Sequence, residues 1–467
     1  MSSKLGFFSL IALVISSMIG AGVFSLPQNM AAVAGSAAVT LAWLITAVGM
    51  LFLALALQYL SLNKPNVDSG IFGYAKHGFG DLIGFCSAWG YWLSAMLANV
   101  SYLVIVFSTL GMIFDTPNLV MFGSGNTITS ILFASLFLWL VHILVLSGLK
   151  NAAFINLLAT FIKIIPLAFF VICALFVFNW NTFILDFAGL HFGKEHSILS
   201  QVKATMLITV WAFIGVEGAI VLSGRARNRK NIGHATIVGL FFAILIYMLV
   251  TLLSMGIIKS TELAQYQNPS MAKVLASIVG PWGEYVISTA LIISVCGSFL
   301  TWTLLASEVP YLCAKEKLFP KSYLKSNYCG SPVKGLMLTS IGTQISLIIV
   351  MYAGSTYNTL LLIASEMILI PYFLVSTYVL QFSIKQRNNT GLFIGLCATL
   401  YSVWLFYASG LDYLIMSSVL YLPGFYFYCN SRREQSLPFF KNLEYFGIGA
   451  LLLVAIIGVN MMRNGNF

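Results

Sequence analysis

No charged side chain interrupts the sequence between Leu5 and Ala31, and apolar stretches of similar length recur to its end. A run of about 20 such residues crosses the roughly 30 Å hydrocarbon core of a bilayer as an α-helix. Backbone at that depth must satisfy its own hydrogen bonds, so these runs are expected to be helices. Hydropathy places spans near 6–32, 38–62, 82–113, 127–147, 153–178, 202–224, 234–258, 282–312, 335–353, 358–382, 391–408, 412–429 and 444–461, thirteen in all. The short pair 391–408 and 412–429 is open to being a tight hairpin. Only 8% of residues are charged and 59% are hydrophobic, whereas soluble domains carry about a quarter charged residues. The expected class is an all-α polytopic membrane protein whose surroundings are the lipid bilayer. Lys4 precedes an apolar run too long for a signal peptide, with no convincing cleavage site, so the first span is expected to remain.

Loop charges orient the chain. With the N-terminus in the cytoplasm, eighteen basic residues lie inside, and only Lys194, Lys203, Lys259, Lys273 and Arg463 lie outside. One missed span would invert every later loop, so this split supports the register and leaves the C-terminus outside. The same topology accounts for the net charge of +10 without any nucleic acid partner. The basic loop Arg225-Ala226-Arg227-Asn228-Arg229-Lys230 and the segment Lys315-Glu316-Lys317-Leu318-Phe319-Pro320 read as topology anchors. Seven scattered cysteines lack a C-x-x-C pair and read as small apolar fillers. The five histidines lie mostly in or beside loops, and there is no metal cluster, phosphate loop or nucleophile–base pair. Neither enzymatic chemistry nor a cofactor or metal is expected.

Two spans are built to break. Ile19-Gly20-Ala21-Gly22-Val23-Phe24 puts two glycines into the first, with Pro27 soon after. Each glycine costs a helix interior roughly 1 kcal/mol against alanine, and proline removes a backbone donor. Trp211-Ala212-Phe213-Ile214-Gly215-Val216-Glu217-Gly218-Ala219 gives the sixth span a similar interruption. A break at membrane depth survives only inside protein or beside a water-filled cavity. Taken alone, the glycines are equally consistent with close helix packing. Two breaks five spans apart instead imply two five-helix repeats entering the membrane from opposite sides, at about 6–178 and 202–382. The transporter core is expected over 1–382, with two or three further helices over 391–461. Half-helix N-termini carry about half a positive charge and suit a carboxylate, while open carbonyls attract cations.

These residues resemble the amino acid-polyamine-organocation superfamily, and within it the basic amino acid/polyamine antiporters. The resemblance runs over about residues 5–430 and is carried by the first-span break with Leu26-Pro27, Tyr91-Trp92-Leu93, and Trp211 through Ala219. Trp302-Thr303-Leu304-Leu305-Ala306 and Ile370-Pro371-Tyr372 complete it. It implies a five-plus-five inverted-repeat fold with helices 1 and 6 broken, in a bacterial inner membrane, often as a homodimer. By resemblance, the backbone at Ile19, Gly20, Ala21 and Gly22 holds a substrate carboxylate. Trp211, with Ile214 one turn on, lids the substrate's cationic stem, and Trp302 stands between substrate and cytoplasm. Ser94, Ala95 and Asn99, joined by Ser365, line the pocket for the cationic end. Ala95 and Tyr102 differ from arginine/agmatine exchangers, which leaves arginine, lysine and ornithine open.

Intramembrane ionisable groups are functional candidates because burying them costs about 2.5 to 3.5 kcal/mol. Lys163, Glu217 and Glu366 are the three here. The resemblance makes Glu217, with Tyr91 and Tyr372, a gate involved in proton sensing; Glu217 simply accepting tyrosine hydroxyls is the alternative. Lys163 resembles a lysine that occupies a sodium ion's place in sodium-independent superfamily members. Glu366 either pairs with Lys163 or faces the pathway. Asn99 lies on one helical stripe with Tyr91, Ala95 and Tyr102, and serves either the substrate or an interhelical hydrogen bond. Trp43, Trp139, Trp180 and Trp404 read as anchors or packing. The expected activity is exchange of arginine (or lysine) for ornithine or a related amine by alternating access. The alternative is a proton-coupled symporter or uniporter.

Overall fold

The computed structural model describes residues 6–67, 69–193, 197–221, 230–354 and 356–463. Most of the basic loop after the sixth span, with Lys4, Lys194 and His196, lies outside the described residues.

The first span is two helices, α1 (Phe7–Met18) and α2 (Gly22–Ala31), separated at the glycines. Then come α3 (Ser36–Asn63), the short α4 (Gly70–Phe79), α5 (Asp81–Phe114), α6 (Ile128–Leu146) and α7 (Leu149–Val177). After α8 (Trp180–Ile184), the sixth span is also divided, into α9 (Ile198–Phe213) and α10 (Gly218–Val221). The chain continues through α11 (Lys230–Ile257), α12 (Ser260–Leu263), α13 (Ser270–Val279), α14 (Trp282–Lys315) and α15 (Val333–Ala353). It ends with α16 (Tyr357–Gln386), α17 (Asn389–Ser409), α18 (Leu411–Ser418), α19 (Gly424–Glu434) and α20 (Asn442–Arg463).

Among the described residues, ten helices are long and apolar enough to cross a membrane. The run at 412–429 is not one continuous helix: a 3-10 turn at Val419–Tyr421 divides α18 from α19, which begins after Pro423. Proline has no amide to donate, so it sits where a helix starts. Hydropathy gave no sign of α4 or α13, because each is a short amphipathic helix whose charge dilutes its signal. The first carries Lys76 beside buried Ile71 and Phe72, and the second carries Lys273 beside buried Met271 and Leu275.

Side-chain caps fix several starts. Thr127, Ser197 and Asn388 accept from the amides of Ser130, Ser200 and Gly391, each cap contributing about 1 kcal/mol. The most enclosed span is the first, 89% buried over its apolar window, and the least is the last, at 11%. A broken helix thus lies at the centre of the bundle and α20 at its edge. Helices α5 and α14, 34 residues each, pack against one another and frame the centre. Trp43 packs between Phe213 and Tyr247, with ring centroids 6.1 Å from each. Trp139 donates to Gln344, Trp404 reaches the Met206 sulfur, and Trp180 is exposed. All seven cysteines are free thiols.

Candidate functional site

Where α1 stops, its last carbonyls need partners from outside the helix. All of them have one. Ile19 N–H donates to Ile15 O at 2.7 Å and Gly20 N–H to Met18 O at 2.9 Å. The Trp302 indole N–H donates to Ser17 O at 3.1 Å. Lys163 Nζ, with no solvent exposure, donates to Ile19 O at 2.6 Å and to Ser16 O at 3.4 Å, and contacts the hydroxyls of Ser16 (3.1 Å) and Ser298 (3.2 Å). The negative end of α1 is therefore filled by protein, largely by one ammonium.

The opposite side of the break differs. No side chain caps α2, and among the described residues no acceptor reaches the amides of Ala21, Gly22 or Val23. Of the expected set Ile19 to Gly22, Ile19 and Gly20 use their amides inside the break, and the amides left open are those of Ala21, Gly22 and Val23. A half-helix with open donors and a positive dipole end is an anion site.

Side chains press closely on both glycines. A Cβ on Gly20 would lie 2.5 Å from the Tyr102 hydroxyl, and one on Gly22 would lie 3.2 Å from the Trp211 ring. Those two rings pack together at 5.9 Å between centroids, and Trp211 Nε1 donates to the Tyr357 hydroxyl at 3.1 Å. Trp302 closes the other flank beside Tyr91, at 6.4 Å.

The second break meets the first directly. α9 ends at Phe213, Ile214 is its buried last cap, and Gly215 turns the chain with φ +111°. Glu217 closes this turn on itself: its carboxylate accepts from Gly215 N–H at 3.2 Å and from the Tyr372 hydroxyl at 2.8 Å. Tyr91 interacts with the same Glu217 carboxylate, at the edge of hydrogen-bond geometry. The three residues expected to form a gate thus lie together.

On α5 and α16, Ser94 Oγ donates to Ala364 O at 2.7 Å and Ser365 Oγ to Leu361 O at 2.7 Å, so both hydroxyl protons are spent on backbone. Ala95 is fully buried between them and Asn99. Asn99 makes an interhelical hydrogen bond: Nδ2 donates to Thr303 Oγ1 at 3.2 Å, while the buried Oδ1 has no donor among the described residues. An unpaired carbonyl oxygen in a dry core is costly unless a donor arrives.

Glu366 does not pair with Lys163. Its carboxylate is 1% exposed and interacts with Ser409 beside Tyr421, against the C-terminal helices, whereas Lys163 faces the first break. Sequence alone missed Ser16, Ser298, Thr303 and Tyr357, because single hydroxyls in apolar helices carry no signal until the fold brings a partner. Among the described residues no three-member His/Cys/Asp/Glu cluster gathers to hold a metal.

The sequence profile of the amino acid permease family matches residues 5–408. Full-length relatives agree. The chain is 50% identical over 465 residues, covering 100% of both chains, to a putative arginine/ornithine antiporter of Escherichia coli. It is 43% identical to an arginine/ornithine antiporter of Pseudomonas aeruginosa, covering 99% of this chain and 98% of the relative. It is 40% identical to an arginine/agmatine antiporter of Chlamydia trachomatis, covering 98% and 96%. With apolar helices of spanning length and paired broken helices at its centre, this multi-pass membrane protein belongs to the amino acid permease family, within the amino acid-polyamine-organocation superfamily.

Proposed function

We propose that the chain exchanges arginine for ornithine or a related amine by alternating access, with substrate held at the two breaks. One observation carries the reading: the carbonyls that end α1 are already satisfied by Lys163, Trp302 and neighbouring groups, while the amides that begin α2 are open. Such a break has room for an anion and not for a second cation, so the α-carboxylate docks on Ala21, Gly22 and Val23. Asn99 Oδ1 then offers an acceptor to the substrate's cationic end, beside Ser94, Ala95 and Ser365. Trp211 and Trp302 serve as the opposing lids, and an indole face over a desolvated cation contributes about 2 kcal/mol. Relatives named for arginine exchange support the substrate class.

In this reading residues 6–178 and 202–382 are the two inverted repeats, and Glu217 with Tyr372 ties the sixth-helix break to α16 so that both move together. Tyr91 completes that gate, and Glu366 biases the pathway from behind α16. The N-terminus faces the cytoplasm of a bacterial inner membrane, and the chain pairs as a homodimer.

Vesicles reconstituted with the purified chain test this. Labelled arginine should enter only when arginine, ornithine or agmatine is preloaded, and Trp302→Leu should stop it without loss of insertion. Robust uptake into empty vesicles driven by a pH gradient would overturn exchange in favour of proton coupling.

A further inference from the structure

Two adjoining clefts at the membrane face shared by the ends of α14 and α19 have no part in the exchange site. One, of about 570 Å³, is polar: Ser322, Tyr323, Asn430, Lys334 and Arg433 line it, with Glu434 at its rim. The other, of about 430 Å³, is mostly apolar and runs between α19 and α20, past Phe425, Phe440, Ile448 and Leu452. They share Tyr426, Asn430 and Arg433, so they form one amphipathic groove with a cationic head and a greasy tail.

The head carries a net positive charge. Adjacent arginines divide their work: Arg432 is buried, donates to Pro438 O at 3.0 Å and pairs with Asp81 at 3.2 Å, whereas Arg433 is exposed. Among the described residues no ion pair reaches Arg433 or Lys334. Glu434, also in the lining, offsets one of them, while its carboxylate is held by the Lys321 backbone N–H at 2.7 Å, so two cations face one anion. Two cations beside hydroxyl and amide donors match a phosphodiester. The apolar extension, at the level where α20 enters the membrane, matches an acyl chain. A free phosphate would leave that half of the groove empty.

We propose that this groove holds one anionic glycerophospholipid, its phosphate between Lys334 and Arg433 and an acyl chain between α19 and α20. The lipid would join the start of α15 to the end of α19. Since α19 also grips the segment after α14, through Ser431 Oγ to Lys317 O and Phe319 O, occupancy would stiffen the connection behind Trp302.

Thermal unfolding of the detergent-solubilised full chain, with lipids of matched acyl chains, tests this. Phosphatidylglycerol should raise the midpoint by about 2–4 °C while phosphatidylcholine leaves it unchanged. Charge reversal by K334E with R433E should abolish that rise, and Ile448→Trp, which blocks the tail, should weaken it. Equal shifts with both lipids would overturn the proposal, as would an equal shift with glycerol 3-phosphate, which carries the head without the tail. Native mass spectrometry of the unmutated chain provides a check that needs no variant: one retained phosphatidylglycerol in preference to phosphatidylcholine supports the site, and equal retention removes it.

Discussion

Ser17 Oγ donates to Gly215 O at 2.8 Å, joining the two helix breaks across 198 residues of sequence. The bond makes them one unit, since neither loop can reorganise without presenting the other with an altered partner.

Gly215→Ala is expected to be the most damaging small substitution at this joint. The residue has φ +111°, and a Cβ there would lie 2.7 Å from the Ser17 backbone. Strain of this kind costs on the order of 1–3 kcal/mol. Exchange in vesicles should fall below a tenth of the native rate with a lowered unfolding midpoint. Ser17→Ala, which removes one hydrogen bond worth about 1 kcal/mol, should be milder. The reverse order would show that the joint does not depend on backbone fit.

Glu217 separates charge from geometry. Its oxygens accept from Gly215 N–H and the Tyr372 hydroxyl. Glu217→Gln keeps one acceptor and should retain part of the exchange rate, whereas Glu217→Ala leaves the buried amide and hydroxyl unpaired and should lose nearly all of it. Equal loss in both, with intact insertion, would assign the role to the negative charge itself.

Lys163→Met keeps length and removes the donors. Ser16 O and Ile19 O would then share only the Ser298 hydroxyl, 3.3 and 3.4 Å away, so one of them is left unpaired, which costs about 1–3 kcal/mol. The unfolding midpoint should drop by several degrees, and arginine affinity, measured by binding to the solubilised chain, should fall at least tenfold. Unchanged affinity would show that the filled α1 terminus does not shape the site.

What hydropathy and glycine placement made legible were most of the long helices and both breaks, though not the division of 412–429, because lipid punishes charge and unpaired backbone in ways that leave marks within a short window. The contacts between breaks were not legible. Nothing near Gly20 announces that the Tyr102 hydroxyl will press on it, and nothing near Trp211 announces Tyr357, since each partner comes from a remote helix. Glu366 shows the same limit in reverse. Opposite charge suggested Lys163 as its partner, but the face of α16 that carries it turns toward Ser409 and Tyr421.

Outside the membrane, Glu316 gives a pH signature. Burial pushes its carboxyl up, but hydrogen bonds from Ser69 and Lys76, with the charges of Lys76 and His77, outweigh this and hold it below the ordinary 4.5. Lys76 Nζ stands 3.1 Å from the carboxylate. A depressed folded value means the group's stabilisation is fully present above pH 4.5 and drains as pH falls through the lower folded value. Glu316→Gln should therefore unfold earlier than the native chain near neutrality, and the gap should close as the medium is acidified below about 4.5. A gap that stays constant with pH would sink the assignment.

The rings against Gly20 and Gly22 have a consequence for the centre of the bundle. Tyr102 and Trp211 already occupy the volume that any substituent at those positions would need. A side chain at either position would have to move the phenol or the indole, so the two glycines set how closely these rings approach the first break.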